Sequence, residues 1–176
     1  LPKKIEAFAA EQQYHYRNKG SFAVQGKTSD PKIGFYSEGS HNVADSAVCG
    51  ILLEPINKTK EWLRYLLKKN QISIYHEEHH RGLVRGLVIR HSESTGETLV
   101  GLVTNEGRFP RNFLVELTKE NELKKLGIVS ISYGGPMVSY WNFSFFDNIP
   151  FRRLKKSVFQ LGGLKTKYIR FYSVLP

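Results

Sequence analysis

The segment 83–103 constrains the fold more than any other: it reads as strand, turn, strand. Leu83, Leu87 and Ile89 put apolar side chains on one face of a strand that runs to Arg90. Ser92 to Gly96 is a run of turn formers, and Thr98 to Val103 is a short apolar strand. So short a connection makes the two strands an antiparallel hairpin. The apolar face of a sheet must be covered, and the chain carries a cover. Between Asn57 and Lys69, residues Trp62, Leu63, Leu66 and Leu67 recur at helical spacing, which predicts an amphipathic helix.

The remaining pattern extends this unit. Ile5, Phe8 and Ala9 predict a short helix over 3–13. Phe22 and Val24 alternate as in a half-buried strand, Lys27 to Pro31 is a turn, and Lys32 to Tyr36 is the returning strand. Ser40 to Asn42 is loop-like, and Ile72, Ile74 and Tyr75 open another strand. Phe113 to Leu126 predicts a second helix stopped by Gly127, followed by a strand over Ile128 to Tyr133. Tyr140 to Phe146 alternates as a last strand. The expected class is α+β, a mostly antiparallel sheet with helices packed on one face.

At 176 residues the chain fits one domain, or one domain with an appendage. Its 40% apolar and 12% aromatic content excludes a wholly disordered polymer. Cys49 is the sole cysteine, so the chain by itself makes no internal disulfide, cysteine zinc site or iron–sulfur cluster. There is no run of about 20 apolar residues, and the start has no apolar signal region. It also lacks an initiator Met, so a processed or excised piece is expected, with the cytoplasm as the default compartment. The net charge of +10 suits an anionic partner, nucleic acid or membrane surface, without choosing between them. Residues 1–151 hold 19 basic and 16 acidic residues. Arg152, Arg153, Lys155, Lys156, Lys165, Lys167 and Arg170 follow with no acid among them. A boundary is therefore expected near Asp147 to Pro150, separating a domain over 1–150 from a basic tail over 151–176. The tail is either a phosphate-binding element or a solvated appendage.

Several motifs compete for chemistry. His76-Glu77-Glu78-His79-His80 satisfies a zinc-protease pattern, but that chemistry needs its histidines one turn apart on a helix. The residues here lie between two strand-like segments, so a polar loop is expected, with incidental zinc binding left open. Ser40, His41 and Asp45 are too close in sequence for a hydrolase triad. The glycines form no phosphate loop. Tyr14-His15-Tyr16-Arg17-Asn18-Lys19 interleaves aromatics with basic residues, as surfaces that stack bases and neutralise phosphates do. Arg81, Arg85, Arg90 and His91 lie near the hairpin, with Arg85 and Arg90 on opposite faces unless a bulge intervenes. The residues alone also allow these side chains to be a solvated sheet face, and Cys49 to be a buried cysteine in a strand.

The set of motifs resembles the RNA uracil-5 methyltransferases, especially the bacterial 23S ribosomal RNA branch. The pieces are Tyr14 to Lys19, Gly34-Phe35-Tyr36 with Gly39-Ser40-His41, and Asp45 through Cys49. Then come Tyr75, Glu77 to Arg85, Val88-Ile89-Arg90, Thr95-Gly96-Glu97 and Leu102-Val103-Thr104. The resemblance covers residues 14–133 and implies the central α+β domain that precedes a methyltransferase domain. It makes Cys49 the match for the fourth ligand of a [4Fe–4S] cluster, with the other three cysteines upstream in cluster-bearing members. This chain has none there. It also lacks a second cysteine to serve as the nucleophile that attacks uracil C6, and the glycine-rich loop for S-adenosylmethionine. Residues 151–176 match none of the family motifs.

The resemblance implies a fragment of an S-adenosylmethionine-dependent 23S rRNA (uracil-5-)-methyltransferase. This portion would position RNA, and would be inactive without the missing methyltransferase domain. Arg17, Lys19, Arg81 and Arg85 are the expected RNA contacts, Cys49 the candidate metal ligand, and Asn18 and His41 the loop-holding residues. The alternatives are a stand-alone RNA-binding module and a purely structural piece that docks onto a catalytic domain.

Overall fold

Alternating apolar residues, two tight turns and one amphipathic helix assemble around a six-stranded sheet in the computed structural model. It describes residues 8–105, 107–117, 119, 128–134, 160–161 and 164–165. The elements are β1 (Lys19–Lys27), β2 (Asp30–Tyr36), β3 (Val43–Asp45), α1 (Glu54–Lys69), β4 (Val84–His91) and β5 (Thr98–Thr104). They continue with α2 (Arg111–Leu117), β6 (Ile128–Gly134), β7 (Gln160–Leu161) and β8 (Leu164–Lys165). The six-stranded sheet has the order β3-β2-β1-β4-β5-β6, with β7 and β8 paired separately. Neighbours from β3 to β5 are antiparallel. β6 lies parallel to β5, which requires the crossover that α2 begins. The α+β class with a mostly antiparallel sheet is borne out.

Register explains the core. Phe22 pairs with Leu87 and Leu87 with Leu102, forming one row across three strands, and Ile89 pairs with Val100 in the next. Ile56, Leu63, Leu66 and Leu67 of α1, with Phe113 and Leu117 of α2, complete the same buried cluster. α1 begins at Glu54, three residues before the expected start at Asn57, because Glu54 and Pro55 suit a helix's first turn. The opposite face is covered too, since Ala23, Val88 and Leu99 are buried outside that cluster.

A bulge sits where β4 starts. Val84 pairs with Thr104 but Gly86 with Val103, so Arg85 is an extra residue. Both Val84 and Leu87, three apart, therefore reach the core.

Four expectations need correction. Residues 8–13 form no helix, because their side chains are exposed and no apolar stripe is buried. Ile72 to Tyr75 is not a strand: it makes a single bridge, Ile74 to Val84, before the chain turns. Cys49 lies half-buried in a loop rather than in a strand, since β3 ends at Asp45. α2 spans only Arg111–Leu117 and Lys119 is not helical. The rest of the expected helix, the strand at 140–146 and the boundary at 147–150 lie outside the described residues.

Candidate nucleic-acid interface

Two basic and aromatic surfaces form at opposite ends of β1 and β4. The first is the segment leading into β1. His15 and Arg17 donate backbone N–H bonds to Gly50 and Ile51, both at 2.8 Å, and Leu53 N–H returns one to Arg17. His15 adopts φ 53° and its Nδ1 bonds the Leu52 carbonyl at 2.9 Å. This backbone clamp leaves Tyr14 and Tyr16 outward, 64% and 58% exposed, beside an exposed Arg17. Lys19 stands in register with Arg90, so two cations share one face. The Asn18 carbonyl accepts the His91 N–H at 2.9 Å, a main-chain bond that extends the β1–β4 pairing. His91 itself is buried against Thr98 Oγ1, and burial lowers its pKa despite the opposing charge of Glu93.

The second surface surrounds the bulge. The Arg85 guanidinium lies 4.3 Å from the centre of the Tyr75 ring, a cation–π contact. The Tyr75 hydroxyl bonds His80 Nδ1 at 3.1 Å. His41 Nδ1 bonds Glu77 Oε2 at 3.3 Å, and its ring lies 5.9 Å from that of Tyr36. Burial and Glu77 raise the Tyr36 phenol pKa, against the pull of Arg85. Arg81 lines an adjoining open cleft of about 660 Å³ with His76 and His79.

The four expected RNA contacts thus form two pairs. Arg17 and Lys19 lie at one end, Arg81 and Arg85 at the other. Arg85 and Arg90 are five residues apart on β4, about 16 Å at a strand's rise. Tyr36, Tyr75 and Glu77 were not singled out from sequence as surface partners. All three lie in the motifs that carry the resemblance, but their juxtaposition with His41 and Arg85 is tertiary.

Several other motif residues are structural. Asp45 takes the Ile33 N–H at 3.0 Å and the Arg64 guanidinium at 2.7 and 3.1 Å. Arg64 also donates to Glu61 and to the Pro31 carbonyl. Burial pushes the Asp45 pKa up, but the Arg64 and Ile33 hydrogen bonds with the Arg64 and Lys60 charges outweigh it, and the net shift is downward. Lys60 is wholly buried, and its ammonium donates to the Ser46 carbonyl. Ser40 bonds its own loop, so Ser40, His41 and Asp45 each face different partners.

Cys49 is held by Asn57, which accepts its N–H at 3.0 Å and donates to its carbonyl at 3.1 Å. A [4Fe–4S] cluster needs four ligands, and this chain has one cysteine. The residues present therefore do not fit a cluster.

No family model matches the chain. It is 35% identical over 123 residues to an uncharacterized RNA methyltransferase of Bacillus cereus, covering 68% of this chain and 27% of that protein. A Clostridium tetani protein of the same description is 33% identical over 128 residues, 72% of this chain and 27% of that one. An Oceanobacillus iheyensis relative is 28% identical over 90% of this chain and 38% of its own length, a span that reaches past residue 150. In fold, the chain resembles the Pyrococcus abyssi tRNA (uracil-54, C5)-methyltransferase solved with S-adenosyl-L-homocysteine. That match has a TM-score of 0.56 and 18% identity over 74% of this chain and 29% of the other. The chain is therefore similar in sequence to bacterial RNA methyltransferases and in fold to part of a tRNA uracil-5 methyltransferase. The chain spans only about a quarter to two fifths of the length of these bacterial relatives. No helix among its described residues is long and apolar enough to cross a membrane.

Proposed function

We propose that this chain is the RNA-positioning part of an S-adenosylmethionine-dependent 23S ribosomal RNA (uracil-5-)-methyltransferase acting in the cytoplasm. Methyl transfer then belongs to a part of the protein beyond these residues. The observation that carries the reading is the match to bacterial RNA methyltransferases over about seven tenths of this chain but 27% of their length. The two surfaces support it. Arg17 and Lys19 at one end, and Arg81 and Arg85 at the other, supply charge for phosphates. Tyr14 and Tyr16 offer exposed ring faces on which unpaired bases stack. S-adenosylmethionine supplies the methyl group in such enzymes. The single cysteine, matched to the cluster position, leaves no nucleophile for uracil C6 here. Cys49 would ligate a [4Fe–4S] cluster only with cysteines supplied from outside this chain.

The test is binding of 23S rRNA fragments to the chain, beside a methyl-transfer assay with labelled S-adenosylmethionine. Preferential binding to a uracil-bearing ribosomal fragment, weakened about tenfold or more by R81A/R85A, with no methyl transfer, is the expected result. Equal binding to unrelated RNA would favour a stand-alone RNA-binding module. Methyl transfer by the chain alone would overturn its assignment as the non-catalytic part.

A further inference from the structure

We propose that the turn at 76–79 binds a divalent transition-metal ion through His76, Glu78 and His79. Their ligand atoms all lie within 4.8 Å of one another. The two imidazoles stack with centroids 4.8 Å apart and planes 19° from parallel. All three side chains are exposed, and among the described residues none of them has a hydrogen-bond partner. The neighbours that a zinc-protease pattern would use are committed elsewhere, Glu77 to His41 and His80 to Tyr75. The ligand set therefore differs from that pattern, and the turn replaces the helix such a protease needs.

The backbone under the site is fixed. His76 N–H donates to the Arg81 carbonyl at 2.7 Å and Tyr75 N–H to the Val84 carbonyl at 2.9 Å. A tetrahedral ion with bonds of about 2.0–2.1 Å holds its donors about 3.3 Å apart. Closing the present separations by about 1.5 Å is within reach of side-chain rotation in exposed residues. Two imidazoles and one carboxylate suit zinc, cobalt or nickel rather than magnesium or calcium. The cleft lined by both histidines leaves room for water to complete the coordination. Glu77 beside the site favours a cation, while Arg81 in the same cleft opposes it. A bound ion would fasten the turn that carries Tyr75 against Arg85, with no role in the chemistry of methyl transfer.

The experiment is calorimetric titration of the untagged chain with zinc in a non-coordinating buffer, followed by cobalt absorption spectroscopy. One ion per chain is expected, with affinity lowered at least about tenfold by H76A or H79A and by E78Q. H15A and H41A should bind as wild type, and cobalt should give the intense visible bands of a low-coordinate site. Circular dichroism of each variant checks that the fold is kept. Undiminished zinc affinity in both H76A and H79A, or no binding by the wild-type chain, would overturn the proposal.

Discussion

Asp45 shows how a single residue of a motif can serve the fold rather than the ligand. Its carboxylate joins β2, through the Ile33 N–H, to α1, through Arg64. Its pKa lies below the ordinary value in the folded chain. The stabilisation is present above the unfolded pKa of about 4 and is lost as pH falls through the lower folded value. D45N should therefore cost about 1 kcal/mol at neutral pH, the worth of a partly screened charged hydrogen bond. The gap between mutant and wild type in urea melts should shrink below about pH 4. A constant gap from pH 7 to pH 3 would refute the ion pair's contribution.

The hairpin of β4 and β5 depends at the level of elements on the turn that precedes it. Gly82 adopts φ +110°, and a Cβ there would lie 2.1 Å from the Ile74 carbonyl oxygen. That close approach lets Leu83 and Val84 N–H both reach the Ser73 carbonyl and lets the bulge begin. G82A should cost about 3 kcal/mol or more, combining a left-handed backbone with a backbone clash. Urea denaturation would measure it, and a loss under about 1 kcal/mol would mean that the turn relaxes freely. The bulge also settles the parity question posed by Arg85 and Arg90. Regular alternation would set Arg85 on the face opposite Arg90, whereas the extra residue lets Arg85 reach the Tyr75 ring.

Among the described residues, the four basic groups expected to contact RNA lie at two ends of the paired strands β1 and β4, in a chain of net charge +10. If one RNA strand runs across both, each lost phosphate contact should reduce the slope of log affinity against log salt by about 0.7. R17A/K19A and R81A/R85A should then each flatten the slope, and their effects on binding free energy should add, since the sites are too far apart to couple. A slope changed by only one pair would confine RNA to one end. Measurement by fluorescence anisotropy over a salt series separates the two.

By itself the sequence determined the α+β class, the β1–β2 and β4–β5 hairpins, α1 and the strand at β6. Each of these rests on local periodicity and turn chemistry, which neighbouring residues specify between themselves. The motif order also pointed to RNA methyltransferases, the description borne by the bacterial relatives. Tertiary structure alone decided that β6 pairs parallel to β5, that Ile72 to Tyr75 bridges instead of forming a strand, and that Cys49 sits in a loop held by Asn57. It alone separated the four basic residues into two pairs and joined Tyr36, His41, Glu77, Tyr75 and Arg85 into one surface. Pairing direction, bulges and surface neighbours arise between segments distant in the chain. Their energies depend on what each segment packs against, which periodicity along the chain does not record.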